Sequence, residues 1–205
     1  DDGSCEELVN EYLISGTLSE DKTLDASHIW TLQGRVIVPN GVTLNIPAGT
    51  IIKATAGTGA NATSLVIARG GTLNAVGTAS EPIIMTSESD DIAVGQTTGS
   101  SLTENVRGLW GGLLILGNAP CSFSGDVSEQ QIEGIPASET NGLYGGNNPA
   151  DNSGTIRYVS IRHGGAEIGE GNEINGLTLA GVGTGTTIDH IEVVANVDDG
   201  IEFFG

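Results

Sequence analysis

The densest group of potential ligands in the chain is Asp198-Asp199-Gly200-Ile201-Glu202. With Ile201 and Phe203 facing inward on an extended strand, Glu202 points outward and Asp198 shares its parity. Two or three carboxylates on one surface suit calcium, which takes several oxygens at about 2.3–2.6 Å. The same residues also read as a polar turn entering a strand, and both readings stay open. A second acidic patch, Glu167, Glu170, Asn172 and Glu173, is a candidate binding surface or a solvated loop between two strands. His28, His163 and His190 are too scattered for a metal triad and read as structural. Cys5 and Cys121 are a candidate disulfide, which would close a long loop and contribute up to about 4.7 kcal/mol. Two free thiols, or pairing of Cys121 outside the chain, are the alternatives. Glycine-rich pieces such as Gly181-Val182-Gly183 lack the strand and helix context of a phosphate loop.

The elements that must carry these residues are written as a repeat. Val36-Ile37-Val38-Pro39-Asn40-Gly41 aligns with Leu65-Val66-Ile67-Ala68-Arg69-Gly70, and Thr43-Leu44-Asn45 aligns with Thr72-Leu73-Asn74. Further on, Ile51-Ile52 is set against Ile83-Ile84. The segments are short, alternating and β-branched, with Gly, Asn or Pro at the turns. Three such strands per circuit describe an all-β, right-handed parallel β-helix (a solenoid) of six to eight coils. Each coil stacks at about 4.8 Å on the last, so that like side chains form interior ladders. An antiparallel sandwich, with hairpins at Asn40-Gly41, Asn141-Gly142 and Asn175-Gly176, is the competing reading. Residues 1–30 are expected to form an N-terminal cap and first coil, with Ser4 and Glu7 as a capping box. Residues 31–205 are expected to form the β-helix, with a long loop at about 122–153 leaving the stack. The chain starts without Met, like a processed N-terminus, and its last residues sit inside a strand pattern, so further chain is expected.

Composition narrows the partners. The 205 residues carry 26 acidic and 7 basic side chains, a net charge of −19, and 32 glycines. No nucleic-acid partner is expected, because phosphate binding needs clustered cations. Anionic membranes are disfavoured for the same reason, and no apolar run approaches the length of a transmembrane segment. Excess carboxylate makes the surface self-repelling, which solvent, salt or bound calcium would relieve.

Several segments together resemble a family. They are Gly34-Arg35-Val36-Ile37-Val38-Pro39-Asn40-Gly41, Pro47-Ala48-Gly49-Thr50, Gly71-Thr72-Leu73-Asn74, Trp110-Gly111-Gly112-Leu113, Asp151-Asn152-Ser153-Gly154 and Asp198-Asp199-Gly200-Ile201. The combination resembles the secreted or surface-lipoprotein parallel β-helix proteins of Bacteroidetes-type bacteria, many of them like type IX secretion cargo. That resemblance implies an extracellular or outer-surface location and no settled activity. The leading expectation is a non-enzymatic structural or adhesion protein presenting a glycan- or partner-binding surface. Asn196-x-Asp198-Asp199-Gly200 is also similar to an aspartate-bearing strip of polygalacturonase-like hydrolases, which implies Asp198 and Asp199 as catalytic candidates in a polysaccharide-degrading alternative. The supporting Asn-Thr-Asp and Gly-His-Gly motifs of that family are missing. A third expectation is end-to-end self-association into filaments through the last strand.

Overall fold

A computed structural model describes residues 11–125, 127–169 and 172–205. The first coil holds β1 (Leu13–Thr17) and β2 (Lys22–Thr23). The second holds β3 (Ile29–Val38) and β4 (Thr43–Pro47), the third β5 (Ile51–Ala54), β6 (Ser64–Ile67) and β7 (Thr72–Val76). The fourth runs through β8 (Ile83–Ser87) and β9 (Leu113–Leu116), then through an excursion carrying β10 (Gln130–Gln131) and β11 (Leu143–Tyr144). It closes with the first half of β12 (Gly154–Arg162). The fifth takes the second half of β12, a hairpin of β13 (Glu167–Gly169) and β14 (Asn172–Glu173), β15 (Leu177–Ala180) and the start of β16 (Thr187–Val194). The rest of β16 and β17 (Ile201–Phe204) begin a sixth.

Three parallel ladders result, one for each side of a prism. Face A stacks β2, β4, β7, β12 and β16. Face B stacks β1, β3, β5, β8, β12 and β16. Face C stacks β3, β6, β9, β15 and β17. Leu44 pairs with Leu73, Asn45 with Asn74, and Val38 with Ile67. The strict repeat therefore arises because each coil lies directly on its predecessor, and the sandwich reading falls. Antiparallel pairing among the described residues is confined to β10–β11 and β13–β14.

One register differs from the sequence alignment. Ile51 pairs with Ile84 and Ile52 with Met85, a slip of one residue. Since strand side chains alternate, a one-residue slip exchanges faces. Ile52, Ile83 and Met85 fill the interior, while Ile51 and Ile84 face outward and are covered by Ile92 from a loop.

The interior contains fully buried Leu32, Leu44, Leu65, Leu73, Leu113 and Leu177 in stacked rows. Burying one such side chain contributes about 1.5–3 kcal/mol, and only its neighbours in adjacent coils supply the cover. The division expected after residue 30 lies at the start of β3, where the second coil begins, and the first coil joins the same stack because β1 pairs with β3 and β2 with β4. Ser4 and Glu7 lie outside the described residues. The excursion at 122–153 leaves the coils and folds back over face C. Its Ile132, Ile135 and Tyr144 bury the outward side chains of face C: Val66, Ala68, Leu114, Leu116 and Ala180. Face C is therefore apolar on both surfaces, which explains the unbroken run Leu113-Leu114-Ile115-Leu116. No helix among the described residues is long and apolar enough to cross a membrane.

Candidate functional site

The edge where face B meets face C collects most of the chain's excursions: 55–63, 88–112, 163–176 and 195–200. The longest of these four, 88–112, leans back over face B and closes a polar cleft of about 320 Å³. Asp90 and Glu104 come from the excursion; Arg162, His163, Glu192 and Val194 come from β12, β16 and their ends.

The floor is set by register. Ser160 pairs with Glu192 and Arg162 with Val194, so Ser160, Arg162 and Glu192 project outward side by side. Arg162 Nε donates to Ser160 Oγ at 2.7 Å, and Ser160 Oγ donates to Glu192 Oε2 at 2.5 Å. The Arg162 guanidinium also lies 3.6 Å from Glu192 and donates to the Thr97 carbonyl at 2.9 Å. Its side chain is only 14% exposed, whereas that of Glu192 is 60% exposed and available to a ligand. Beneath it, buried Trp110 donates its indole N–H to the Arg162 carbonyl at 2.7 Å.

The wall is held by carboxylates that serve the loop. Buried Asp90 accepts from Thr86 Oγ1 at 2.9 Å and from the Ile92 backbone at 3.0 Å. A Cβ on Gly99 would lie 2.1 Å from Asp90 Oδ1, so only glycine lets the loop approach this closely. Asp91 pinches the loop shut, accepting from the backbones of Ser100 and Ser101 and from Ser100 Oγ. These bonds, the Ser100 hydroxyl first, hold its carboxyl down at about 2. His163 is buried at a positive φ of 60°, with Nδ1 2.6 Å from the Val106 carbonyl. It ties the excursion to β12, in keeping with a structural histidine. Among the described residues, Glu104, the second oxygen of Glu192, part of Arg162 and the hydroxyls of Thr98 and Thr103 are left for a ligand.

The residues singled out by sequence lie elsewhere. Asp198 and Asp199 are exposed in the 195–200 turn, whereas Glu202 is half-buried on β17. As expected, Glu202 has the parity opposite to Ile201 and Phe203, which align with interior Leu177 and Leu179. It is only partly exposed, and the Asn175 amide donates to it. Burial raises its carboxyl above the ordinary value; the Asn175 bond opposes this, and Asp199, Glu133 and Asp198 add to it. Among the described residues no group of three or more His, Cys, Asp or Glu is placed to hold a metal.

The patch at Glu167, Asn172 and Glu173 is the β13–β14 hairpin, with Glu167 opposite Glu173; Glu170 lies outside the described residues. Cys5 also lies outside them, and Cys121 has no disulfide partner among them. Asp198 and Asp199 do not line the Arg162 cleft.

Sequence reasoning passed over Arg162 and Glu192. The signal was present: Thr155-Ile156-Arg157-Tyr158-Val159-Ser160-Ile161-Arg162 aligns with Thr187-Ile188-Asp189-His190-Ile191-Glu192-Val193-Val194. That alignment sets Arg157 beside Asp189, which it bonds at 2.8 Å, and Arg162 two positions beyond Glu192.

Comparison with known families gives one match: a family described as a pectate-lyase-like beta helix domain, over residues 16–205. No curated protein and no solved structure matches.

Proposed function

This chain belongs to the pectate-lyase-like β-helix family, and on that premise we propose that it is an extracellular or outer-surface protein that binds glycans in the Arg162 cleft without cleaving them. The observation that carries the reading is the cleft itself: a polar trough built by one excursion on a rigid flank, with a guanidinium and two carboxylates at its surface. Sugar hydroxyls need donors and acceptors together, and Arg162, Glu104, Glu192 and the two threonines supply both. The net charge of −19 repels polyanions, which points to neutral glycans. Asp90 has both oxygens committed to the loop and serves as a strut.

Glycan-array binding of the wild type, Arg162→Ala and Glu192→Gln tests the reading. Signal on neutral glycans should drop about tenfold or more in both variants, as expected for loss of a charged hydrogen bond. An array blank for the wild type, or undiminished in both variants, would overturn it. Polysaccharide cleavage is the second reading, favoured because Glu104 and Glu192 share the cleft with Arg162. New reducing ends or unsaturated sugars from a polysaccharide panel would establish it in place of the first.

A further inference from the structure

A second polar groove, of about 360 Å³, lies on a different edge, where face C turns into face A. It is lined by Asn40, Arg69, Gly70, Asn118, Thr140 and Asn141, with Ala68 its sole apolar residue. Register explains the arrangement. Val38, Ile67 and Ile115 stack on face C, so Asn40 and Arg69, two positions on, and Asn118, three on, leave successive coils at the same edge. Successive coils are about 4.8 Å apart. Amide, guanidinium and amide thus form a row along the axis, and the excursion at 122–153 sets Thr140 and Asn141 against it.

Two of the groove's carboxamides rest against glycines, that of Asn40 on Gly70 and that of Asn118 on Gly146. Among the described residues the side chains of Asn40, Asn118 and Thr140 make no hydrogen bond. Asn141 donates to Glu139, which leaves its oxygen free. Arg69 spends Nη1 on Glu129 at 2.6 Å and on the Gly145 carbonyl at 3.0 Å, keeping Nε and Nη2 as donors.

We propose that this groove binds a neutral oligosaccharide laid along the solenoid axis across three coils. Arg69 is charge-matched by Glu129, so nothing in the groove favours an anion. A peptide would need an apolar anchor or an unpaired strand edge, and β3, β6 and β9 are already paired. Carboxamides that offer a donor and an acceptor side by side suit vicinal sugar hydroxyls. Their one-coil spacing is close to the rise of one pyranose residue in an extended β-linked chain. The groove is independent of the Arg162 cleft.

Calorimetric titration of the whole chain with cellohexaose, mannohexaose and chitohexaose tests the inference. At least one should bind, and the Asn40→Ala/Thr140→Ala double variant should weaken it about tenfold, the effect of losing two hydrogen bonds. Both side chains are exposed, so the variant should fold normally; an unchanged melting temperature confirms it. Asn118→Ala should give a similar loss, and Arg162→Ala should leave this affinity unchanged. Binding that survives the double variant and disappears with Arg162→Ala would overturn the groove and leave the cleft reading standing. Failure of all three hexasaccharides to bind would also overturn it.

Discussion

The second and third coils differ from the fifth and sixth in how they turn their corners. In the early coils Gly34, Gly41, Gly49 and Gly70 take positive φ, as glycine does at little cost. All non-glycine residues with positive φ among the described residues lie in the late coils: Tyr158, His163, His190 and Ala195. Each costs about 1–2 kcal/mol of backbone strain. Tyr158 and His190 occupy equivalent corners of adjacent coils, their rings stacked 4.2 Å apart. His163 sits at the mouth of the cleft and anchors the excursion. The early coils are thus a scaffold in which repetition is cheapest. The late coils accept strain where side chains at the corner have a task.

Interior substitutions probe this division most strongly. Leu73→Ala, in the closely stacked early part, should cost about 2–5 kcal/mol in urea unfolding. Val76→Ala, on the same strand but at a side chain 43% exposed, should cost under about 1 kcal/mol. Equal costs would show that the interior rows do not carry the stack.

Corner substitutions come next. Gly34 has φ +65° and nothing within 4 Å of an added Cβ. Gly34→Ala therefore isolates backbone strain and should destabilise by about 1–2 kcal/mol. Ala195→Gly, at φ +55°, should instead gain up to about 1 kcal/mol. If both variants destabilise, strain does not separate the two halves.

The smallest effects are set by pH. The folded-state value of Glu202 is raised, so the native state binds its proton more tightly than the unfolded chain does. Stability should decline as pH rises from the ordinary glutamate value through the higher native one, and Glu202→Gln should flatten that slope. Asp91 has the opposite sign. Its carboxyl is held at about 2, so what it contributes is present above the ordinary aspartate value and lost as pH falls toward 2. Protection factors at 92–99, taken relative to the intrinsic exchange rate at each pH, should fall over that range, and in Asp91→Asn at neutral pH.

The parallel β-helix was legible because stacking writes itself as residue-for-residue identity, seen in Thr43-Leu44-Asn45 and Thr72-Leu73-Asn74. The face B register was misread by one residue because Ile51-Ile52 and Ile83-Ile84 are apolar on both parities. Only Ile92, arriving from a distant loop, accounts for the outward pair. The candidate sites were largely illegible for a related reason. Arg162, Glu192 and Glu104 meet through the path of an excursion that carries no periodicity. Asp198, Asp199 and Glu202 drew notice by adjacency in sequence, yet the strand turns Glu202 onto Asn175 and leaves the aspartates in a turn.

The excursion at 122–153 has a consequence for how the protein withstands proteolysis. It shields an otherwise greasy sheet face with Ile132, Ile135 and Tyr144. One proteolytic nick that released it would leave the coils wound while uncovering Val66, Leu114 and Leu116. Damage of this kind would surface first as clumping and precipitation, well before any loss of secondary structure registered in a spectrum.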